Sequence, residues 1–142
     1  AWPEARAASE KRAAETGALI APAYEDEAVF AGAGSVALEF AEQARFDTLL
    51  VAVGGGGLIA GCAAAIGEGT RIVAVETEGT PTLHEALKAG RPVDVAISGI
   101  AADALGASRI GTPNFEVAQK LVSQSVLVSD DAVRTAQRAL WE

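Results

Sequence analysis

The sequence contains no methionine, one cysteine, one histidine and few aromatic residues, 5% of the total. A single cysteine excludes an intrachain disulfide and any metal site built on several cysteines. It also predicts a reducing compartment, the cytoplasm. Cys62 lies between Gly61 and Ala63, with no basic neighbour in sequence, and is read as a buried structural thiol. With so few aromatics, the core has to be built from Ala, Val, Leu and Ile. Basic residues are scarce as well: 11 Lys and Arg stand against 19 Asp and Glu, a formal net charge of −8. That balance argues against nucleic acid or an anionic membrane surface as partner. No apolar run reaches transmembrane length, and no basic start precedes an apolar core. The opening Ala1-Trp2-Pro3, without an initiator methionine, predicts a processed chain or a piece of a longer one.

What is present is a chain of one-domain length, 142 residues, half of them apolar. It is organised around Thr48-Leu49-Leu50-Val51-Ala52-Val53, an apolar run of strand length, which breaks into Gly54-Gly55-Gly56-Gly57 and resumes as a small-residue helix from Leu58 to Ile66. Glycines let a backbone approach a ligand closely, and the amides at a helix start are unpaired. The helix dipole adds partial positive charge there, so the arrangement predicts a bound phosphate or carboxylate. A tight turn without a ligand would need one glycine rather than four.

Along the chain, Pro3 and Gly17 bracket a helix with a solvated, charged face. Ala18–Ala21 is a candidate short strand, and Tyr24 to Glu27 an acidic loop in which Asp26 and Glu27 are solvated. Val29 to Ala44 is a helix, with Val36, Phe40 and Ala44 at helical spacing. Gly32 and Gly34 in its first turns predict a close neighbour there. Arg71 to Glu76 is a second strand, and Thr80-Pro81 supplies a capping and first-turn pair for a helix to Gly90. Arg91 to Ile97 is ambiguous, with an edge strand as the candidate. Ala101 to Leu105 is a helical turn, Thr112-Pro113 starts a helix to Val122, and Ser125 to Ser129 is a strand. Asp130-Asp131 opens the last helix with charge that complements its dipole. The strands are continuous apolar runs alternating with helices, which predicts an α/β fold with a parallel sheet flanked by helices. Ligands of such sheets bind beyond the carboxyl ends of the strands, where the four glycines fall.

Two ligands fit the turn on residues alone. Gly55-x-Gly57-x-x-Ala60 matches the relaxed dinucleotide fingerprint, with Glu76 placed as the ribose-binding acid. That reading gives a nucleotide-dependent oxidoreductase using NAD(P). The other is a phosphate-bearing cofactor. Here a set of segments carries a family resemblance. Val51-Ala-Val-Gly-Gly-Gly-Gly-Leu-Ile-Ala-Gly61 resembles the phosphate loop of the fold type II pyridoxal-phosphate enzymes, in particular the serine/threonine dehydratase and serine racemase group. Ala31-Gly32-Ala33-Gly34-Ser35 to Glu39 resembles that family's A-G-Q-G-T-x-x-L-E helix start, and Ile72 to Glu76 resembles its following strand. Gly99-Ile-Ala-Ala-Asp103-Ala-Leu105 resembles its (T/G)-(I/V)-A-D-G/S-L segment, and Val126 to Glu142 its late strand and helix.

The resemblance implies that the backbone amides of Gly54, Gly55, Gly56, Gly57 and Leu58 hold the phosphate of pyridoxal 5'-phosphate. The implied reaction removes water and ammonia from a hydroxy amino acid to give a 2-oxo acid, with the fixed phosphate helping to protonate the departing hydroxyl. The family's Schiff-base lysine motif, S-(F/Y)-K-x-R-G, is absent, as are its ring-contacting S-G-N-H/A segment and its late Ser or Cys segment. Lys11, Lys88 and Lys120 stand in polar helical settings. The chain therefore maps to a middle-to-late portion of an enzyme about twice its length, residues 1–24 ending the small domain and 25–142 forming part of the large one. Alone it is expected to be inactive. Ala33 replaces a frequent Gln, and Thr82 replaces the Asp of metal-binding members. Glu76, with the Thr80 carbonyl, is the candidate Mg²⁺ or Ca²⁺ ligand, weakened by the loss of one carboxylate. His84 is expected at the surface. Exposed apolar edges predict a homo-oligomer, a dimer. The remaining alternative is a non-catalytic binding or oligomerisation module.

Overall fold

The structure is a computed structural model and describes residues 2–142. The described residues form α1 (Trp2–Thr16), α2 (Glu27–Gln43), β1 (Thr48–Ala52), α3 (Gly57–Ile66), β2 (Arg71–Thr77), α4 (Thr82–Ala89), α5 (Ala102–Leu105), α6 (Thr112–Leu121), β3 (Val122–Val128) and α7 (Asp130–Trp141). The strands make one parallel sheet in the order β1-β2-β3. Leu49 lies opposite Ile72 and Val51 opposite Ala74; Val75 lies opposite Val126. Parallel neighbours need long crossovers, and the helices supply them: α3 between β1 and β2, and α4 to α6 between β2 and β3.

The core follows the composition. Val51, Ile72 and Ala74 of the sheet and Val53, which follows β1, meet Ile59, Cys62 and Ala63 of α3, Leu83 and Ala86 of α4, and Phe115 and Ala118 of α6. Cys62 is buried, its Sγ facing the Ala33 carbonyl at 3.9 Å, as expected of a structural thiol. The α2 and α3 backbones come nearly into contact through glycine. A Cβ on Gly34 would lie 2.7 Å from the Gly61 carbonyl oxygen, and one on Gly61 would strike the Phe30 carbonyl. Gly34 thus carries the close packing expected of the early glycines; Gly32 has open space where a side chain would go.

Several local expectations are corrected. Ala18–Ala21 forms no strand: it reaches no sheet edge, and Leu19 is 95% exposed. Arg91 to Ile97 is irregular too, tied by the Val95 N–H to the Ser108 carbonyl at 2.8 Å. β3 starts at Val122, directly after α6, three residues before the expected start. The organising strand β1 is an edge of the described sheet, with β2 in the middle. Leu50 is 66% exposed on it, so a continuous apolar run here does not have both faces covered. α7 begins as expected, with Asp130 and Asp131 in its first turn and the Ser129 hydroxyl accepting the Ala132 N–H at 3.2 Å. No helix among the described residues is long and apolar enough to cross a membrane.

Candidate functional site

The glycine turn runs from the carboxyl end of β1 into the N-terminus of α3. Gly56 adopts φ 89°, ψ −4°, a left-handed conformation that glycine reaches without a Cβ clash. Every peptide bond among the described residues is trans, so each carbonyl points away from the N–H of its own peptide unit. The carbonyls of Gly54, Gly55 and Gly56 are anchored. The Gly54 oxygen accepts from the Thr82 hydroxyl at 2.7 Å. The Gly55 oxygen accepts from the Gly111 N–H at 3.1 Å and from Asn114 Nδ2 at 2.9 Å. The Gly56 oxygen accepts from the Ala60 N–H at 3.0 Å, the first bond of α3.

Anchoring these oxygens aims the N–H groups of Gly55, Gly56 and Gly57 the opposite way. No hydrogen bond within the described residues is donated by the N–H of Gly54, Gly55, Gly56, Gly57, Leu58 or Ile59. A helix start leaves its first N–H groups unpaired; here the preceding glycines extend that row. Such a row, with the α3 dipole behind it, suits a phosphate.

Neighbouring chain fits closely around the turn. A Cβ on Gly55 would collide with the Tyr24 ring, and one on Gly56 would lie 2.7 Å from Ile110 Cγ1. One on Gly54 would come within 3.3 Å of the Leu105 backbone, so the Gly99–Leu105 segment is brought to the turn. Gly56 and Gly57 are buried, whereas Leu58 is exposed. A cavity of about 600 Å³ lies beside Tyr24, lined by Arg6, Ser9, Glu10 and residues 20–25, not by the glycines. Sequence reading passed over Tyr24 and Asn114 as site residues and weighed Thr82 only at a metal position. Asn114 is 59 residues from its partner Gly55, and no local pattern marks such a pairing.

Glu76 corrects two expectations. Its side chain is 1% exposed at the end of β2. Oε1 accepts the Leu83 N–H at 2.7 Å, and Oε2 accepts the His84 N–H at 2.7 Å. The Thr82 hydroxyl lies 3.0 Å from Oε1, and Ser125 Oγ lies 3.5 Å from Oε2. Glu76 is therefore the N-terminal cap of α4. The Thr80-Pro81 pair does not fill that role: the Thr80 hydroxyl pairs with that of Thr77 at 2.9 Å, and Pro81 gives no side-chain bond. Burial raises the Glu76 carboxyl above its ordinary value; the N–H groups of Leu83 and His84 and the Thr82 hydroxyl pull the other way. A hard cation needs several free oxygens, and both of Glu76's face backbone donors. No group of three His, Cys, Asp or Glu able to hold a metal occurs among the described residues. Nor is Glu76 free to take a ribose hydroxyl, which removes the acid from the dinucleotide reading. His84 is half-buried rather than a surface residue, its Nδ1 3.1 Å from Ser125 Oγ.

Comparison with known proteins gives the chain a family. Residues 1–142 match the family described as pyridoxal-phosphate dependent enzyme. The chain is 36% identical to the biosynthetic L-threonine dehydratase IlvA of Pasteurella multocida, over 98% of this chain and 28% of that protein. It superimposes on the crystal structure of the T.th. threonine deaminase with a TM-score of 0.86 at 29% identity, covering 94% of this chain and 51% of that one. Serine racemase of maize gives a TM-score of 0.88 at 32% identity, covering 94% and 43%. The chain thus spans about half or less of the length of these proteins.

Proposed function

The chain belongs to the pyridoxal-phosphate dependent enzymes, and from that premise we propose that it is part of a serine/threonine dehydratase. The reaction eliminates water and ammonia from a hydroxy amino acid and yields a 2-oxo acid. The observation that carries this is the unbroken row of unpartnered N–H groups from Gly54 to Ile59. The amides of Gly54, Gly55, Gly56, Gly57 and Leu58 hold the cofactor phosphate, and the α3 dipole adds to their pull. The turn has room for backbone only, because Tyr24 and Ile110 occupy the places that side chains on Gly55 and Gly56 would take.

When bound, pyridoxal phosphate supplies the electron sink for the negative charge left when the α-proton departs. The part played by these residues is positional. Thr82, Asn114 and the start of α3 hold the turn rigid, and a rigid turn fixes the phosphate and so the ring attached to it. The Tyr24 ring covers the Gly55 side of the turn. Glu76 serves the fold as the α4 cap, and no cation is assigned to it.

Residues 1–24 close the small domain and 25–142 belong to the large one. The near-complete exposure of α1 from Glu4 onward supports this division. The family's lysine motif, S-(F/Y)-K-x-R-G, does not occur in these residues, and the isolated chain is expected to be inactive. Leu50, Leu140 and Trp141, apolar and exposed, face the rest of the longer protein and a second copy in a dimer, which sedimentation would detect.

The test is expression of the protein from its full reading frame, followed by assay with L-threonine and L-serine. Pyridoxal-phosphate-dependent release of 2-oxo acid and ammonia is expected, lost in Gly56→Val. Chiral analysis of the remaining serine reads racemisation in the same samples. A cofactor-loaded protein that releases 2-oxo acid from neither substrate, or a protein that binds NAD instead, contradicts the assignment.

A further inference from the structure

We infer that Thr82 and Asn114 are positioning residues for the phosphate cradle, each acting through a carbonyl on the far side of the turn. This rests on the glycine turn being the cofactor-phosphate site. Both residues are fully buried and polar. A buried polar side chain is costly unless its bonds are made. Each directs its donor at the turn. The hydroxyl proton of Thr82 has two acceptors in reach, and the nearer is the Gly54 oxygen, at 2.7 Å against 3.0 Å for Glu76. The Asn114 amide gives both of its N–H groups to carbonyls, those of Gly55 and Tyr24. Its Oδ1 is left buried without a partner. Reversing the amide would set Oδ1 against two carbonyl oxygens, so the observed orientation is the one the surroundings demand.

The consequence is geometric. The peptide unit joining Gly54 to Gly55 is held through its oxygen by α4, and the next unit is held by α6. Because each unit is planar and trans, fixing its oxygen also fixes the direction of the N–H of Gly55 or Gly56. Without these donors a four-glycine segment has wide conformational freedom. Its N–H groups would then have to be ordered when the phosphate arrives, which weakens binding. Asn114 also ties down the Tyr24 backbone, so one amide sets both the turn and the ring against it.

The experiment uses protein from the full reading frame and titrates it with pyridoxal 5'-phosphate and with pyridoxal, which lacks the phosphate. Thr82→Val keeps the volume and removes the donor; Thr82→Ser keeps the donor; Asn114→Leu removes both donors at similar size. Thr82→Val and Asn114→Leu are expected to bind pyridoxal phosphate about tenfold more weakly, the order of one lost hydrogen bond to a buried carbonyl. Pyridoxal affinity is expected to be unchanged, and the ³¹P resonance of the bound cofactor to shift or broaden. Thr82→Ser is expected to restore both signals. If Asn114→Leu does not fold, the threonine pair decides alone. Wild-type affinity and an unmoved ³¹P signal in Thr82→Val overturn the inference. Gly56→Val separates it from its premise: if that variant also binds the cofactor normally, the phosphate site itself is wrong. If only Gly56→Val loses binding while its circular dichroism spectrum shows it folded, the site stands and the positioning role falls.

Discussion

Replacing Gly56 with alanine probes the turn at its most constrained residue. Two effects add. A residue with a Cβ in the left-handed region is disfavoured by about 1–2 kcal/mol, and Gly56 sits there at φ 89°. Its new methyl would also lie 2.7 Å from Ile110 Cγ1, 2.8 Å from Ile110 Cδ1 and 3.1 Å from Asn114 Cβ. Ile110 is 1% exposed and belongs to the core, so it has little space to yield; overpacking of this kind costs roughly 1–3 kcal/mol. Gly56→Ala should therefore lose about 2–5 kcal/mol of stability. Gly90 provides the internal control. It is also left-handed, at φ 68°, ψ 13°, but a Cβ there meets nothing within 4 Å. Gly90→Ala should show the backbone effect alone, about 1–2 kcal/mol. Urea unfolding of both variants in the apo protein, read as midpoint and slope, measures the difference. If Gly56→Ala is no more destabilised than Gly90→Ala, the packing of Ile110 against the turn is refuted.

Other consequences are open to simpler measurements. Gly61→Ala would drive a methyl into the Phe30 carbonyl and force α2 off α3; a loss of about 1–3 kcal/mol is expected, and an unchanged melting temperature would contradict the near-contact of the two helices. The Glu76 carboxyl binds its proton more tightly folded than unfolded, because burial raises it from the reference value of 4.5. Its contribution is therefore complete below that value and is lost as pH rises through the folded pKa. Unfolding curves from pH 4.5 upward should fall less steeply in Glu76→Gln than in wild type; parallel curves would count against it. Burial also raises the Cys62 thiol, so a thiol reagent should label it only as the protein unfolds, whereas rapid labelling of native protein would contradict a buried, protonated side chain.

The alternation of strands and helices was readable because each element carries its own periodicity, and the glycine turn because four glycines in a row are a local signal. Elements whose identity depends on a neighbour were not. Ala18–Ala21 has the composition of a strand but finds no partner, and exposed Leu19 shows the result. Glu76 was visible as a strand-end acid, but its role depends on where α4 places the Leu83 and His84 N–H groups. The same holds for Thr82 and Asn114, whose meaning lies in carbonyls 28 and 59 residues away. Tyr24 read as part of a polar loop because nothing in its surroundings announces that its ring lies on Gly55. Local chemistry located the glycine turn; only the packed chain showed what holds its carbonyls.

The most direct measurement is a crystal structure of the protein from its full reading frame with pyridoxal 5'-phosphate bound. The phosphate oxygens are expected within hydrogen-bonding distance of several nitrogens in the Gly54–Ile59 row, with the carbonyls of Gly54 and Gly55 still held by Thr82 and Asn114. A phosphate seated elsewhere, with those nitrogens turned to other acceptors, would contradict the account.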